Sequence, residues 1–320
     1  MKFISVYNEY IEVKSYLLKV STIKTIKYRV KRYILPYFKD MNIEDIDKKT
    51  YLKWKETINK LDLSDIYKNT IHQENAKIFN YAIDNGYINI NIPNILGGFK
   101  YHKKQYYKLW DYKDFNKFIS VVNNKTYKGL FTILFTTGIR IGEALALTWE
   151  DFNKSEVFIN KMISKYEIDG NKAITAPKTK NSIRVIHLDD TTRKTLLNIK
   201  KEQIKEEVYY DKAFIFGCTS PLARTTVKRK KDYYCKKAGV KNISIHSFRH
   251  SHATLLLYEN IPIIDISRRL GHSSIAVTME TYLHYIKNDE EDIIKCLDKG
   301  IKKTPIFTAT THDYKKGVIK

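Results

Sequence analysis

The chain is short of the residues that staple a fold by covalent or metal bonds. Its 320 residues hold three cysteines. Cys218, Cys235 and Cys296 stand far apart, with no CxxC or Cys/His metal spacing, so neither a disulfide framework nor a zinc ribbon is expected. Such cysteine usage fits a reducing, cytosolic compartment. Long hydrophobic runs are missing too. The richest, around Leu130 to Ile141, falls well below the roughly 20 apolar residues of a membrane span. Asn8, Glu9, Glu12 and Lys14 soon interrupt the N-terminal Met1-Lys2-Phe3-Ile4-Ser5, so no signal-peptide apolar stretch forms and no export or membrane partner is expected. Acidic residues are few: 35 Asp and Glu stand against 57 Lys and Arg, a formal net charge of +22. That balance favours a polyanion, because each phosphate a basic residue neutralises releases condensed counterions. Solvated lysine faces would give the same total, so charge alone does not decide.

What is present is globular, with 43% hydrophobic residues and a length that suits two domains. The fold class expected is mostly α with a small antiparallel β-sheet. Residues 1–95 read as a helical bundle. Ile23, Ile26, Val30 and Ile34 recur at helical spacing, with Ser21 or Thr22 as N-cap, Pro36 limiting the far end, and Lys24, Lys27 and Lys31 on a basic outer side. A second helix carries Ile78, Phe79, Ala82 and Ile83 and stops at Asn85-Gly86. Residues 96–109, with Gly97-Gly98 and basic residues including Lys103 and Lys104 among tyrosines, read as a linker able to lie along a DNA backbone. Residues 110–300 read as a second domain. Helices are expected near Asp111 to Val122 and Lys128 to Thr137, and a small sheet between Glu156 and Leu188 with a turn at Asp169-Gly170. Residues 301–320 read as a mobile tail.

Four clusters carry chemistry. In Thr136 to Leu145, Gly138 can end one helix and leave Arg140 in the first turn of the next, with Glu143 placed to orient its guanidinium. Pro177 to Arg184 offers Lys178, Lys180 and Arg184 on a turn, as a proton donor or phosphate contacts. In Ile245 to Thr254, His246, Arg249 and His250 share a helical face. A guanidinium binds phosphate with two prongs and an imidazole transfers protons near neutral pH. A metal site from His246, His250 and His252 is disfavoured, since no carboxylate or cysteine neighbours them. Finally, Arg268-Arg269-Leu270-Gly271-His272 puts His272 in a turn after a helix that begins at Pro262. Tyr282 follows near the end of the next helix, unremarkable by itself among 24 tyrosines.

Taken in order, these clusters resemble the active-site series of tyrosine site-specific recombinases, the phage and transposon integrase family. The strings TGIRIGEALALTWED, IHSFRHSHATLL and LGHSSIAVTMETYLHY carry the likeness, strongly from Trp110 to Leu297. The resemblance implies a core-binding helical domain followed by a catalytic domain. It implies catalytic Arg140, Lys178, His246, Arg249, His272 and Tyr282, with Glu143 in support and Arg268 among the DNA contacts. Tyr282 would attack the scissile phosphate and leave a 3′-phosphotyrosine. No metal, ATP or other cofactor is implied. The implied partners are double-stranded DNA, a homo-tetramer on two duplexes with a C-terminal segment docked on a neighbour, and accessory DNA-bending or directionality factors, all in the cytoplasm at the nucleoid. Many such integrases carry a further N-terminal arm-binding domain, and this chain starts almost at the core-binding helices. A type IB topoisomerase activity, or DNA binding without catalysis, is the alternative.

Overall fold

The computed structural model describes residues 1–100, 108–168, 171–177, 180–282 and 294. The first part is helical: α1 (Phe3–Leu17), α2 (Val20–Arg29), α3 (Leu35–Phe38), α4 (Lys48–Asn59), α5 (Asp65–Asp84) and α6 (Ile92–Leu96). Ile23 and Ile26 of α2 are buried, and Lys24, Lys27 and Lys31 are exposed, as the periodicity predicts. The cap differs. Lys19, not Ser21 or Thr22, precedes the helix, and no side chain caps it. Pro36 does not end it either. A wider π turn over Val30–Ile34 carries the chain straight into α3, with Pro36 in that helix's first turn. A proline is tolerated there because the helical N–H it lacks has no partner to lose.

The α5 end follows the expected glycine rule. Gly86 takes a left-handed φ of 74°. Its N–H reaches Ile83 O at 2.9 Å, and Tyr87 N–H reaches Ala82 O at 2.8 Å, so two terminal carbonyls are satisfied. Helix α6 closes the bundle and runs one residue past its expected end at residue 95. Asn91 caps it by accepting from Asn94 N–H at 2.9 Å, and Pro93 sits at its start. These helices bury a core of their own around Phe3, Tyr10, Phe38, Tyr51, Trp54 and Phe79. The linker residues Lys103 and Lys104, and the tail 301–320, lie outside the described residues.

A second core begins at Trp110, whose N–H donates to Ser251 Oγ at 2.9 Å and whose indole N–H donates to Lys241 O at 2.8 Å. Helices α7 (Tyr112–Ser120), α8 (Lys125–Thr137) and α9 (Ile141–Ala144) lead to the strands, and α10 (Asp190–Lys205), α11 (Arg224–Ala238), α12 (Ile245–Tyr258), α13 (Ile263–Leu270) and α14 (Ile275–Tyr282) follow. The strands make two small antiparallel sheets rather than one. Strands β1 (Phe152–Asn153), β2 (Glu156–Ile159) and β5 (Arg184–His187) pair in the order β1-β2-β5. Strands β3 (Met162–Ile168) and β4 (Asn171–Thr175) form a separate ribbon on either side of the expected turn, whose residues 169–170 lie outside the described set.

Phe248 fixes where α12 lies. It is fully buried among Trp110, Phe118 and Phe131, with ring centroids 5.1, 6.1 and 6.0 Å away. Truncating such a side chain to alanine costs about 3–5 kcal/mol. Because Arg249 is the next residue, that packing also sets where its guanidinium arrives.

Candidate active site

Two glycines build the site. Gly138 closes α8 and Gly271 closes α13, both in left-handed conformation with φ of 66° and 67°. Each puts the carbonyl-rich, electronegative end of a helix toward the same point. Arg249, 2% exposed, sits there, donating through Nη1 to Gly138 O at 2.9 Å and through Nη2 to Leu270 O at 2.8 Å. The chain leaving each glycine then supplies the next functional group: Arg140 after Gly138, His272 after Gly271. Neither glycine tolerates a side chain. A methyl at Gly138 would lie 2.7 Å from His252 Cδ2 and 2.8 Å from Leu270 Cδ2, and one at Gly271 would lie 3.0 Å from Asn181 O.

Arg140 is the N-cap of α9 rather than a residue of its first turn, and that helix runs for only four residues. Its position is set by Glu143 instead of by a helix dipole. The buried carboxylate accepts from Arg140 N–H at 3.0 Å and from Arg140 Nη1 at 2.9 Å. Arg184 donates to the same carboxylate at 3.0 Å. Burial pushes the Glu143 carboxyl up, but the Arg184 guanidinium and the two Arg140 donors outweigh it and hold it below the usual carboxylate range.

Arg184 is therefore turned into the protein rather than toward solvent. Its side chain is 8% exposed and also donates to Arg269 O at 2.7 Å and Ser182 O at 2.8 Å, which leaves its fork committed inside the protein. A basic residue on a turn reads as solvent-facing when its carboxylate partner lies 41 residues away.

Arg140, Glu143, His246, Gly271, His272 and Arg224 line one cleft of about 360 Å³. Arg224, at the start of α11, belongs to no sequence cluster and is a group the sequence did not reveal. Its Nη2 donates to Ile163 O at 2.6 Å, while its Nε is buried without a hydrogen-bond partner. The site thus holds more guanidinium than carboxylate. Burial, then Arg249 and Arg140, push His246 below its ordinary pKa, and the same causes push His272 down to about 4. Burial and the charge of Arg140 lower Arg249 to about 9. An anion in this cleft would reverse the electrostatic part of every one of these shifts.

Tyr282 lies beside this cleft, close enough to Arg249 to act on its charge. It is 1% exposed and absent from the cleft lining, and its hydroxyl is 2.9 Å from His250 Nδ1. His272 Nδ1 is 2.6 Å from Thr278 Oγ1, one turn earlier on α14. His252 turns the other way, its Nε2 accepting from Arg269 Nε at 3.2 Å. Among the described residues no group of three or more His, Cys, Asp or Glu is arranged to hold a metal ion.

Lys178 lies outside the described residues, as does the side chain of Lys180. Arg268 is 74% exposed on α13, 3.5 Å from Asp265, and does not line the cleft. Lys24, Lys27 and Lys31 point outward but do not line the large groove of about 1060 Å³ between the first helices and β3–β4. Lys14, Lys19, Arg29, Lys77 and Arg224 line it instead.

Residues 108–289 match the pattern of the phage integrase family, more than half of the chain. The chain belongs to the phage integrase family. Residues 2–61 match the SAM-like N-terminal domain of phage integrases. Among relatives, this phage-integrase chain is 30% identical to the ICEBs1 integrase of Bacillus subtilis (strain 168) over 305 residues, 92% of this chain and 81% of that protein. It is 24% identical to the integrase of Staphylococcus phage L54a over 333 residues, covering 93% of each. The Tn1549 transposon integrase, solved with transposon right end DNA, superimposes with a TM-score of 0.78 at 18% identity, over 93% of this chain and 99% of that one. A lambda integrase dimer bound to a core site gives 0.64 at 18% identity, over 87% and 94%. At such identities the two structures speak for the α+β recombinase fold alone. As an integrase, the chain is an enzyme of DNA strand cleavage and rejoining. Among the described residues no helix is long and apolar enough to cross a membrane.

Proposed function

We propose that this integrase recombines double-stranded DNA at a specific site, integrating or excising a mobile element, and that the cleft at Arg140 binds the scissile phosphate. Arg140 and Arg249 take its two non-bridging oxygens and stabilise the charge that grows as the pentacovalent phosphorane forms. The Tyr282 oxygen attacks phosphorus, a 3′-phosphotyrosine bond forms, and the bond to the 5′ oxygen breaks. His246, the further acid or base, takes up the phenolic proton, the leaving oxygen takes a proton from Lys178, and His272 donates a hydrogen bond to the phosphate. Attack by a 5′ hydroxyl from a second duplex forms the new phosphodiester, releases Tyr282 and completes the exchange, so the phosphodiester energy is kept.

The observation that carries the proposal is the surplus of guanidinium over carboxylate around one cleft, next to two histidines that burial keeps neutral. A phosphate entering there offsets the positive field, raises the affinity of His246 and His272 for a proton, and so prepares a donor only when substrate is bound. The orphaned Nε of Arg224 supplies one more donor for the same anion. The basic groove between the two cores suits a duplex running past the cleft, with Lys24, Lys27, Lys31, Lys103, Lys104, Lys180 and Arg268 as outer phosphate contacts. A tetramer on two duplexes, assisted by accessory DNA-bending or directionality factors at the nucleoid, completes the proposal. A solved lambda integrase tetramer on a Holliday junction lends support to that assembly.

The test is a nicked suicide duplex from the DNA flanking the protein's own gene. A covalent protein–DNA band that survives denaturation is expected. It should vanish in Tyr282→Phe while sequence-specific binding persists. A band of equal strength in that variant overturns the assignment, and binding with no band from the wild type favours a DNA-binding role without catalysis.

A further inference from the structure

Helix α14 is fastened at two points one turn apart, and both fasteners are histidine–hydroxyl hydrogen bonds. Thr278 Oγ1 meets His272 Nδ1 at 2.6 Å, and the Tyr282 hydroxyl meets His250 Nδ1 at 2.9 Å. The second bond involves a residue that the proposed chemistry does not use. His250 follows Arg249 on α12 and is 6% exposed. Its ring stands edge-on to His246 at 4.8 Å and 5.6 Å from the Tyr282 ring. Around these groups Ala253, Ile266, Leu270 and Tyr282 itself form a small apolar cluster, so the phenol is both hydrogen-bonded and sheltered from water.

We infer that His250 is a positioning residue that holds the Tyr282 hydroxyl in a retracted place, outside the phosphate cleft, until α14 shifts and presents it. The inference rests on Tyr282 being the nucleophile. A buried phenol needs an acceptor, and a neutral imidazole is a good one. Burial, with His246 and Arg249 adding to it, holds His250 neutral by pushing its pKa down to about 3. Because the His272 bond to Thr278 is on the same helix, a phosphate that draws the His272 imidazole toward itself pulls on the first fastener as well. Arrival of DNA and delivery of the tyrosine are thereby linked through two histidines that bond residues one turn apart on the same face of α14. The function assigned to His250 is distinct from that of His246, which lines the cleft itself.

The experiment uses the full chain with meta-fluorotyrosine at position 282, read by fluorine NMR with a soluble paramagnetic agent. Wild type should show a shielded resonance. His250→Leu, which removes the acceptor at similar volume, should raise accessibility severalfold. It should also speed the first appearance of covalent adduct on the nicked duplex by about fivefold, the equilibrium weight of one ordinary hydrogen bond. His250→Asn, whose amide oxygen falls near the Nδ1 position, should restore both values toward wild type. Unchanged accessibility in His250→Leu overturns the inference, and so does greater accessibility with slower adduct formation, which would make His250 a participant in attack. Should His250→Leu fail to fold, para-fluorophenylalanine at position 282 deletes the same bond from the other side. Higher accessibility than wild type then supports the latch and equal accessibility overturns it. If the wild type forms no adduct at all, the nucleophile assignment falls, whereas the NMR result still decides whether His250 holds the ring.

Discussion

Glu143→Gln removes one charge and almost no volume, which makes it a clean perturbation of the support beneath Arg140. The carboxylate is 2% exposed and accepts three hydrogen bonds, from Arg140 N–H, Arg140 Nη1 and Arg184 Nη2. A glutamine keeps one acceptor oxygen and turns an NH₂ toward donors. At least one charge-assisted bond is lost, at about 1.5–3 kcal/mol each, and the general cost of unpairing a buried ion is about 3–5 kcal/mol. We expect a loss of about 3 kcal/mol, which in a domain of this size lowers Tm by roughly 6–12 °C. Adduct formation should fall by about 10²-fold, the usual cost of a catalytic group displaced by about 1 Å. The pH dependence follows from the direction of the shift. The folded carboxyl titrates below its unfolded value, so its contribution is present above the unfolded pKa of about 4.3 and is lost as pH falls through the lower folded value. The difference in Tm between wild type and Glu143→Gln is therefore widest near neutrality and narrows toward acid pH. Thermal denaturation followed by circular dichroism across that range reads it. A Tm within about 2 °C of wild type at neutral pH, or a gap that grows on acidification, would refute the placement of this carboxylate between two guanidiniums.

Arg249→Ala should abolish cleavage on the suicide duplex, since the two-pronged donor clamped by Gly138 O and Leu270 O has no substitute. Cleavage at the normal rate would remove it from the site. Gly138→Ala should destabilise the fold by more than about 1 kcal/mol in a denaturant titration, because a left-handed φ and a methyl 2.7 Å from His252 act together. Chelation with EDTA should leave strand exchange intact, and loss of exchange would revive a histidine metal site.

Much of this site is legible in sequence because local chemistry dictates it. A glycine that must adopt positive φ ends a helix wherever the fold lies, so Gly138 and Gly271 announce the turns that carry Arg140 and His272. The three- and four-residue spacing of His246, Arg249 and His250 likewise needs only a helix. What was not legible depends on distant partners. Arg184 looks like a surface cation until Glu143 is brought beside it, and Arg224 has no motif because its neighbours, Gly142 and Ile163, come from another part of the chain. The π turn before Pro36 and the split of the strands into two sheets are tertiary choices that residue preference does not encode. Tyr282 shows the limit most clearly. Its place in the order of motifs marks it, yet the partner of its hydroxyl, His250, lies 32 residues earlier.

The most direct measurement is peptide mapping of the covalent adduct after nuclease trimming. Among 24 tyrosines, the nucleotide remnant should be carried on Tyr282 and linked through a 3′ phosphate. A remnant on another tyrosine, or a 5′ linkage, would contradict the convergence of Arg140, His246, Arg249 and His272 on a phosphate that Tyr282 attacks.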